Sequence, residues 1–320
     1  MALESSNLFR LPFFGIGGGL STEFGAWLPK GSKAIFVRST GVQSQDEQSF
    51  ARKILPTLAS GLLECRAGMG DTVFVLPGHS ESVTDNTMLT NLVAGTRVIG
   101  LGHPLQSDAP TFRWTNTAGS WLVTVADCVF ANLKLKMEGA NGITKAINIT
   151  AAGTTIAKNA IQTASGATAK AAIAIEVGSG ALFTTINDNY IYGTATHNST
   201  DIIKLVGSTV PSNFTMSGNK GIASITAGNG FVHVTVAALN CLIENNTLYN
   251  THTASTACIA IDDVAADGMI CYNNMGVLND GTASAEGLVF AGSTDLFKCF
   301  QNFCSDEKNK SGLLSPGAAS

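Results

Sequence analysis

The residues best suited to chemistry are five carboxylates in the second half of the chain: Asp188, Glu244, Asp262, Asp263 and Asp267. Glycosidic hydrolysis needs two carboxyl groups about 5–9.5 Å apart. Asp262, Asp263 and Asp267 are clustered in sequence, whereas Asp188 and Glu244 are widely separated. Turn formation and simple solvation account for the same residues. The five histidines, at 79, 103, 197, 233 and 252, have no metal-ligand spacing. His233 falls within a strand-like run and reads as a packed or outward-facing side chain. The segment Gly78-His-Ser-Glu-Ser82 approaches a nucleophile elbow but lacks the final glycine and a strand–turn–helix setting. Tyr190, Tyr192, Tyr249 and Tyr272 could line a carbohydrate-binding flank or simply pack. Residues 13–20 are glycine-rich without the strand, helix and spacing of a phosphate-binding loop. The reading is therefore no catalytic set, no metal site and no cofactor.

A repeat must position whatever these residues do. An apolar residue, two variable residues and an Asn recur seven times, ending at Asn132, Asn159, Asn189, Asn219, Asn246, Asn274 and Asn302. The Asn spacings are 27, 30, 30, 27, 28 and 28 residues. Self-similarity at this period marks a stacked repeat. Before each Asn lies an alternating apolar run, such as Trp121–Val125, Ala172–Val177 or Phe231–Val236. Such runs, rich in Ile, Val and Thr and bounded by turn residues, read as short strands.

Each repeat thus holds two or three strands and forms one coil. The fold class is all-β: a right-handed parallel β-helix with rungs of about 28 residues, an N-terminal capping helix and an extended N-terminal arm. Asn suits a sharp turn because it tolerates the left-handed backbone. Stacked once per rung, its amides form a hydrogen-bonded ladder. The residue three before each Asn (Val129, Ile156, Ile186, Met216, Ile243, Cys271 and Cys299) is apolar and is expected to point inward.

Charged residues are only 13 % of the chain, and the net charge is -4 with no basic block. That argues against an electrostatic nucleic-acid surface. Seven cysteines without a C-x-x-C pair signal neither a disulfide framework nor a zinc site. They read as small buried hydrophobes in a protein assembled in a reducing cytoplasm. No segment reads as a membrane span or a secretory leader.

Along the chain, residues 1–34 form an arm outside the repeat. Its Phe9, Phe13, Phe14, Phe24 and Trp27 are expected to dock on a partner, because aromatic anchors on an arm gain energy by burial. Residues 35–95 hold a strand, a capping helix from about Asp46 to Cys65 and the first coil. Ser44 and Glu47 have capping-box spacing, and Pro56 interrupts the helix. Such a cap covers the open first rung. The β-helix occupies 96–304, with Gly102 a candidate for the Asn column, and 305–320 is a tail.

Three segments carry a family resemblance. Gly70-Asp-Thr-Val-Phe-Val-Leu-Pro-Gly-His79, Val98-Ile-Gly-Leu-Gly102 and Lys310-Ser-Gly-Leu-Leu314 resemble parts of pectate-lyase-like β-helix virion proteins of tailed phages. The resemblance implies a homotrimeric structural protein on the capsid surface, assembled in the host cytoplasm and partnered with the major capsid protein. Adhesion to a host surface glycan is a further implied role. The alternative is a tailspike or tail-fibre protein that binds or depolymerises host polysaccharide. A pectate-type lyase would also need calcium-binding carboxylates and a basic residue on one face. Arginine stands only at 10, 38, 52, 66, 97 and 113, outside the clear repeats.

Overall fold

The computed structural model describes residues 31–39, 54–138, 142–194, 199–207, 211–226, 229–252, 257–278, 287–290, 296–306 and 312–314. Asp46, Ser44, Glu47 and the five aromatic arm residues lie outside the described residues. So do His197 and part of the segment 310–314. The described strands stack into three sheets of eleven, seven and ten strands, parallel throughout except for the last strand of the ten-stranded sheet. From Arg97 to Phe290 the chain visits the eleven-stranded, ten-stranded and seven-stranded sheets in turn, so each of these coils contributes one strand to each. This is a parallel β-solenoid of about seven turns with rungs of about 28 residues.

Alternation explains the core. In the seven-stranded sheet Trp121, Ile147, Ile175, Ile203, Val232, Ile259 and Leu288 stack in one inward column. The runs of Ile, Val and Trp anticipated as strands are these strands. In the eleven-stranded sheet the inward column is Phe130, Ile156, Ile186, Met216, Ile243, Ile270 and Cys299. Two members differ from the expected set: Phe130 replaces Val129, and Ile270 replaces Cys271. β-strand side chains alternate, so a one-residue shift exchanges the inner and outer faces.

The same two rungs shift the turn column. The ladder runs Asn159, Asn189, Asn219, Asn246, Asn273 and Asn302, all buried. Leu133 takes the column at the first rung, and Asn274 stands beside it as an exposed residue. Asn132 instead bonds the Gly100 and Gly102 carbonyls through its side-chain amide. Register pairs Ile99 with Ala131, which sets Gly100 rather than Gly102 opposite Asn132, so Gly102 lies beyond the position expected of it.

The left-handed backbone belongs to the residue before each ladder position: Asn132, Lys158, Asp188, Gly218, Asn245, Tyr272 and Gln301 all have φ between 51° and 66°. The ladder Asn is selected for a different reason. The turn rotates backbone groups away from the sheets, and buried polar groups need partners. Each amide substitutes for the missing ladder. Asn219 Nδ2 donates to the Ile186 carbonyl at 2.9 Å, and its Oδ1 accepts from Asn189 N at 3.0 Å and Asn189 Nδ2 at 2.9 Å.

The N-terminal end is capped. Strand β1 (Ala34–Val37) pairs with β2 (Ile54–Leu55) and β3 (Thr72–Val75). The described helix, α1, spans only Leu58–Leu62 and buries Leu58, Gly61 and Leu62 over β1 and β3. It begins after Pro56, because proline resists continuation of a helix through it. Its capping box is Thr57 with Ser60. A Cβ on Gly61 would come within 2.7 Å of Val37 Cγ2, so glycine is what lets the helix lie close on the first rung. At the opposite end, the strand Gly312–Leu314 pairs antiparallel with the strand Asn302–Asp306 and closes the ten-stranded edge.

Candidate functional site

The outer face of the seven-stranded sheet carries a cluster of titratable side chains. Register aligns Leu122, Asn148, Glu176, Lys204, His233, Ala260 and Val289 in one outward column. Strict alternation fails just before this column. Ala146 and Ile147 are both buried, as are Ala174 and Ile175. Lys145, two residues before the inward Ile147, still reaches the same side as Glu176.

Charges alternate up the face. Lys145 Nζ lies 2.6 Å from Glu176 Oε1. Two rungs are then joined by Asp201, whose carboxylate is fully buried. Its Oδ2 lies 3.2 Å from Lys204 Nζ, and its Oδ1 lies 2.7 Å from His233 Nδ1. On the other side of the ring, His233 Nε2 lies 2.7 Å from Asp262 Oδ2. Asp262 is the member that reaches solvent, with its side chain 46 % exposed.

His233 is the centre of this arrangement. Burial opposes its charged form, but the Asp201 and Asp262 carboxylates outweigh that and raise its pKa. An imidazolium donates from both nitrogens, which matches a carboxylate on each side. So clamped, His233 has no ring nitrogen left to take a proton from a substrate. The chemistry favoured by this geometry is electrostatic: a cation stapling consecutive rungs.

The other candidate carboxylates are dispersed. Asp263 Oδ1 accepts from Ala265 N at 2.9 Å within its own turn. Asp267 accepts from Asn240 N one rung earlier. Asp188 occupies a left-handed turn position, and Glu244 lies on the outer face of the eleven-stranded sheet beside Ser217 and Cys271. Only Asp262 enters the cluster. Asp201 and Lys204 escape a sequence search for paired acids. Their signal is the recurrence of polar residues at about one rung, Glu176 to Lys204 to His233.

His79 and Ser80 do not form a nucleophile elbow. Ser80 begins strand β4 (Ser80–Val83), and its N–H donates to Ser39 Oγ. The buried His79 ring lies 3.1 Å from Glu81 Oε2, which also accepts from Leu58 N at 2.8 Å. That carboxylate therefore anchors the start of α1. Among the described residues no group of three or more His, Cys, Asp or Glu is placed to hold a metal ion. No described helix is long and apolar enough to cross a membrane.

A second face is chemically distinct. The ten-stranded sheet presents Tyr190, Tyr192, Ile222 and Tyr249 outward, with the Tyr190 and Tyr192 rings 5.5 Å apart. Arg113 and Lys136 both pair with Glu138 at its edge. Tyr272 lies elsewhere, edge-on to Phe300.

No family model and no curated protein sequence matches the chain. Among solved structures, an alginate lyase from Paenibacillus sp. str. FPU-7 is similar, at 13 % identity and a TM-score of 0.41. The match covers 78 % of this chain and 92 % of that one. No residue role is carried over from that enzyme.

Proposed function

We propose that the chain is a structural virion protein. In this reading it is a homotrimeric β-solenoid rod that decorates or stabilises a tailed-phage capsid and turns over no substrate. The observation that supports it most directly is the internal matching of the His233 cluster. The imidazole is held by Asp201 and Asp262, so both of its ring nitrogens are committed to joining rungs. The family resemblance of residues 70–79, 98–102 and 310–314 supplies the virion setting.

Quantitative mass spectrometry and labelling of purified particles test this reading. A decorating protein is present in many copies over the capsid. A few copies confined to the tail would overturn it. Light scattering on the isolated protein should give three times the chain mass, and a monomer would remove the trimer.

The second reading is a tailspike or fibre that engages host polysaccharide. The exposed tyrosines on the ten-stranded sheet favour it. Depolymerisation of a surface polysaccharide that is lost in Asp262→Asn would establish it over the first.

A further inference from the structure

We propose that the outer face of the ten-stranded sheet binds a linear, carboxylated polysaccharide lying along the rod axis. Two adjacent outward columns build the surface. One stacks Lys134, Ala160, Tyr190 and Lys220. The other stacks Lys136, Gln162, Tyr192, Ile222 and Tyr249. Cations therefore flank an aromatic patch at intervals set by the rungs.

The tyrosines are arranged as platforms. Tyr249 is 39 % exposed, yet a Cβ on the buried Gly276, one rung further, would collide with its ring. The ring thus lies down over the Gly276 backbone and presents its other face to solvent. Tyr190, 40 % exposed, and Tyr192 form a second platform. Tyr192 and Tyr249 are two rungs apart, or about 10 Å at ~4.8 Å per rung. An extended disaccharide spans that separation. The C–H faces of pyranose rings stack on aromatic faces, which have an apolar body and a negative π-cloud.

Charge selects an acidic chain. None of the outward residues of these strands from Thr111 to Tyr249 is acidic. Glu138, just past its strand, is shared by Arg113 at 2.8 Å and Lys136 at 2.6 Å, which leaves that trio net positive. Lys134 and the exposed Lys220 add to it. A local positive field on a chain whose net charge is -4 favours an anionic ligand at this face. The cations are spaced by rungs and interleaved with tyrosines, and no basic block accompanies them. That suits sparse sugar carboxylates better than a dense phosphate backbone.

Affinity electrophoresis and calorimetry on the full chain test the inference with polygalacturonate and hyaluronan, against neutral dextran and oligothymidylate. The carboxylated chains should bind at least about tenfold more tightly than dextran, with affinity falling as salt rises. Tyr249→Ala and Lys220→Glu should each weaken binding by about tenfold. Tyr249→Phe and Glu244→Gln, the latter on another sheet, should leave it unchanged. Equal binding of dextran, undiminished affinity in both weakening variants, or tighter binding of oligothymidylate through the same residues would overturn the proposal. So would a change in oligomeric mass in Tyr249→Ala or Lys220→Glu, because the face would then be a subunit contact. The inference rests on the polysaccharide-binding reading above and names its ligand class: failure to bind any polysaccharide would overturn both, equal binding of dextran would overturn only the charge selection on which the inference turns, and neither outcome bears on the copy-number test of the virion reading.

Discussion

Asn273 Oδ1 accepts two hydrogen bonds from Asn246, one from its backbone N–H at 3.0 Å and one from its side-chain amide at 2.9 Å. Asn246 Oδ1 stands in the same relation to Asn219, and Asn219 Oδ1 to Asn189. Each amide thus links three rungs, because its Nδ2 also donates to a core residue's carbonyl in the rung before.

Removing one amide from the middle of this chain should be costly. Asn219→Ala would strip partners from Asn189 N, Asn189 Nδ2 and the Ile186 carbonyl, all in buried surroundings. Leaving a buried polar group unsatisfied costs about 1–3 kcal/mol. We expect a loss of about 3 kcal/mol or more, read as a lower midpoint in urea unfolding. Asn274→Ala, at the exposed neighbouring position, should change the midpoint by less than about 0.5 kcal/mol. Equal effects from the two substitutions would contradict the register of the ladder.

That register shows what was legible in the sequence. The apolar-x-x-Asn period revealed the solenoid because every coil must bury one residue and turn three positions later. It did not reveal which of two adjacent residues turns inward. At Asn132-Leu133 and Asn273-Asn274 the choice follows the packing of Phe130 and Ile270 in the core column. That packing depends on neighbouring rungs. The His233 cluster was hidden for a related reason. Asp201 reaches His233 where three consecutive buried residues, Asp201 to Ile203, break the alternation, so sequence spacing alone did not bring them together. The tyrosine face was partly legible, since Tyr190, Tyr192 and Tyr249 stood out as candidates. The flanking cations became meaningful only once register placed them in the same columns.

The His233 staple should make stability depend on pH. Its folded-state pKa is raised, as burial is outweighed by Asp201 and Asp262. A raised histidine contributes fully below the unfolded value of about 6.5 and loses its contribution as pH rises through the folded value. The charged groups near the ring are Asp201, Lys204 and Asp262. Melting temperatures of wild type and His233→Gln should therefore differ most below the unfolded value of about 6.5 and converge as pH rises through the raised folded value. A difference that grows with increasing pH would show that the ring is stapled in its neutral form.

Thiol reactivity should report on the integrity of the coils. Burial pushes the Cys128 thiol up to about 11 and the Cys241 and Cys258 thiols up to about 12. The thiolate is the reactive species, so these groups should be inert in the folded chain. Native iodoacetamide labelling followed by peptide mass spectrometry should leave all three unmodified, while denaturant should expose them. Rapid native labelling of Cys258 would mean that the coil around it opens readily.

Strong acid should weaken the N-terminal rungs. The buried Asp71 carboxylate accepts from Lys33 N at 2.6 Å and Arg66 N at 2.8 Å, and lies 2.8 Å from Arg66 Nη2. Burial opposes its ionisation, but the Arg66 side chain and the two backbone donors outweigh that and lower its pKa. A depressed carboxylate contributes stability above its unfolded pKa of about 3.9 and loses it as pH falls through the lower folded value. Asp71→Asn removes the charge and should destabilise the chain by about 1–3 kcal/mol at neutral pH, since hydrogen bonds to charged groups are worth about that much. Its deficit relative to wild type should shrink under acid. The Arg66 side chain is partly exposed whereas Asp71 is fully buried, so Arg66→Gln should cost less than Asp71→Asn: the two backbone amides would still hold the carboxylate. Hydrogen exchange at Lys33 and Arg66 separates the roles. Both amides should lose protection in Asp71→Asn and keep most of it in Arg66→Gln. If both variants lost protection equally, the guanidinium rather than the backbone would be what holds the first rungs together.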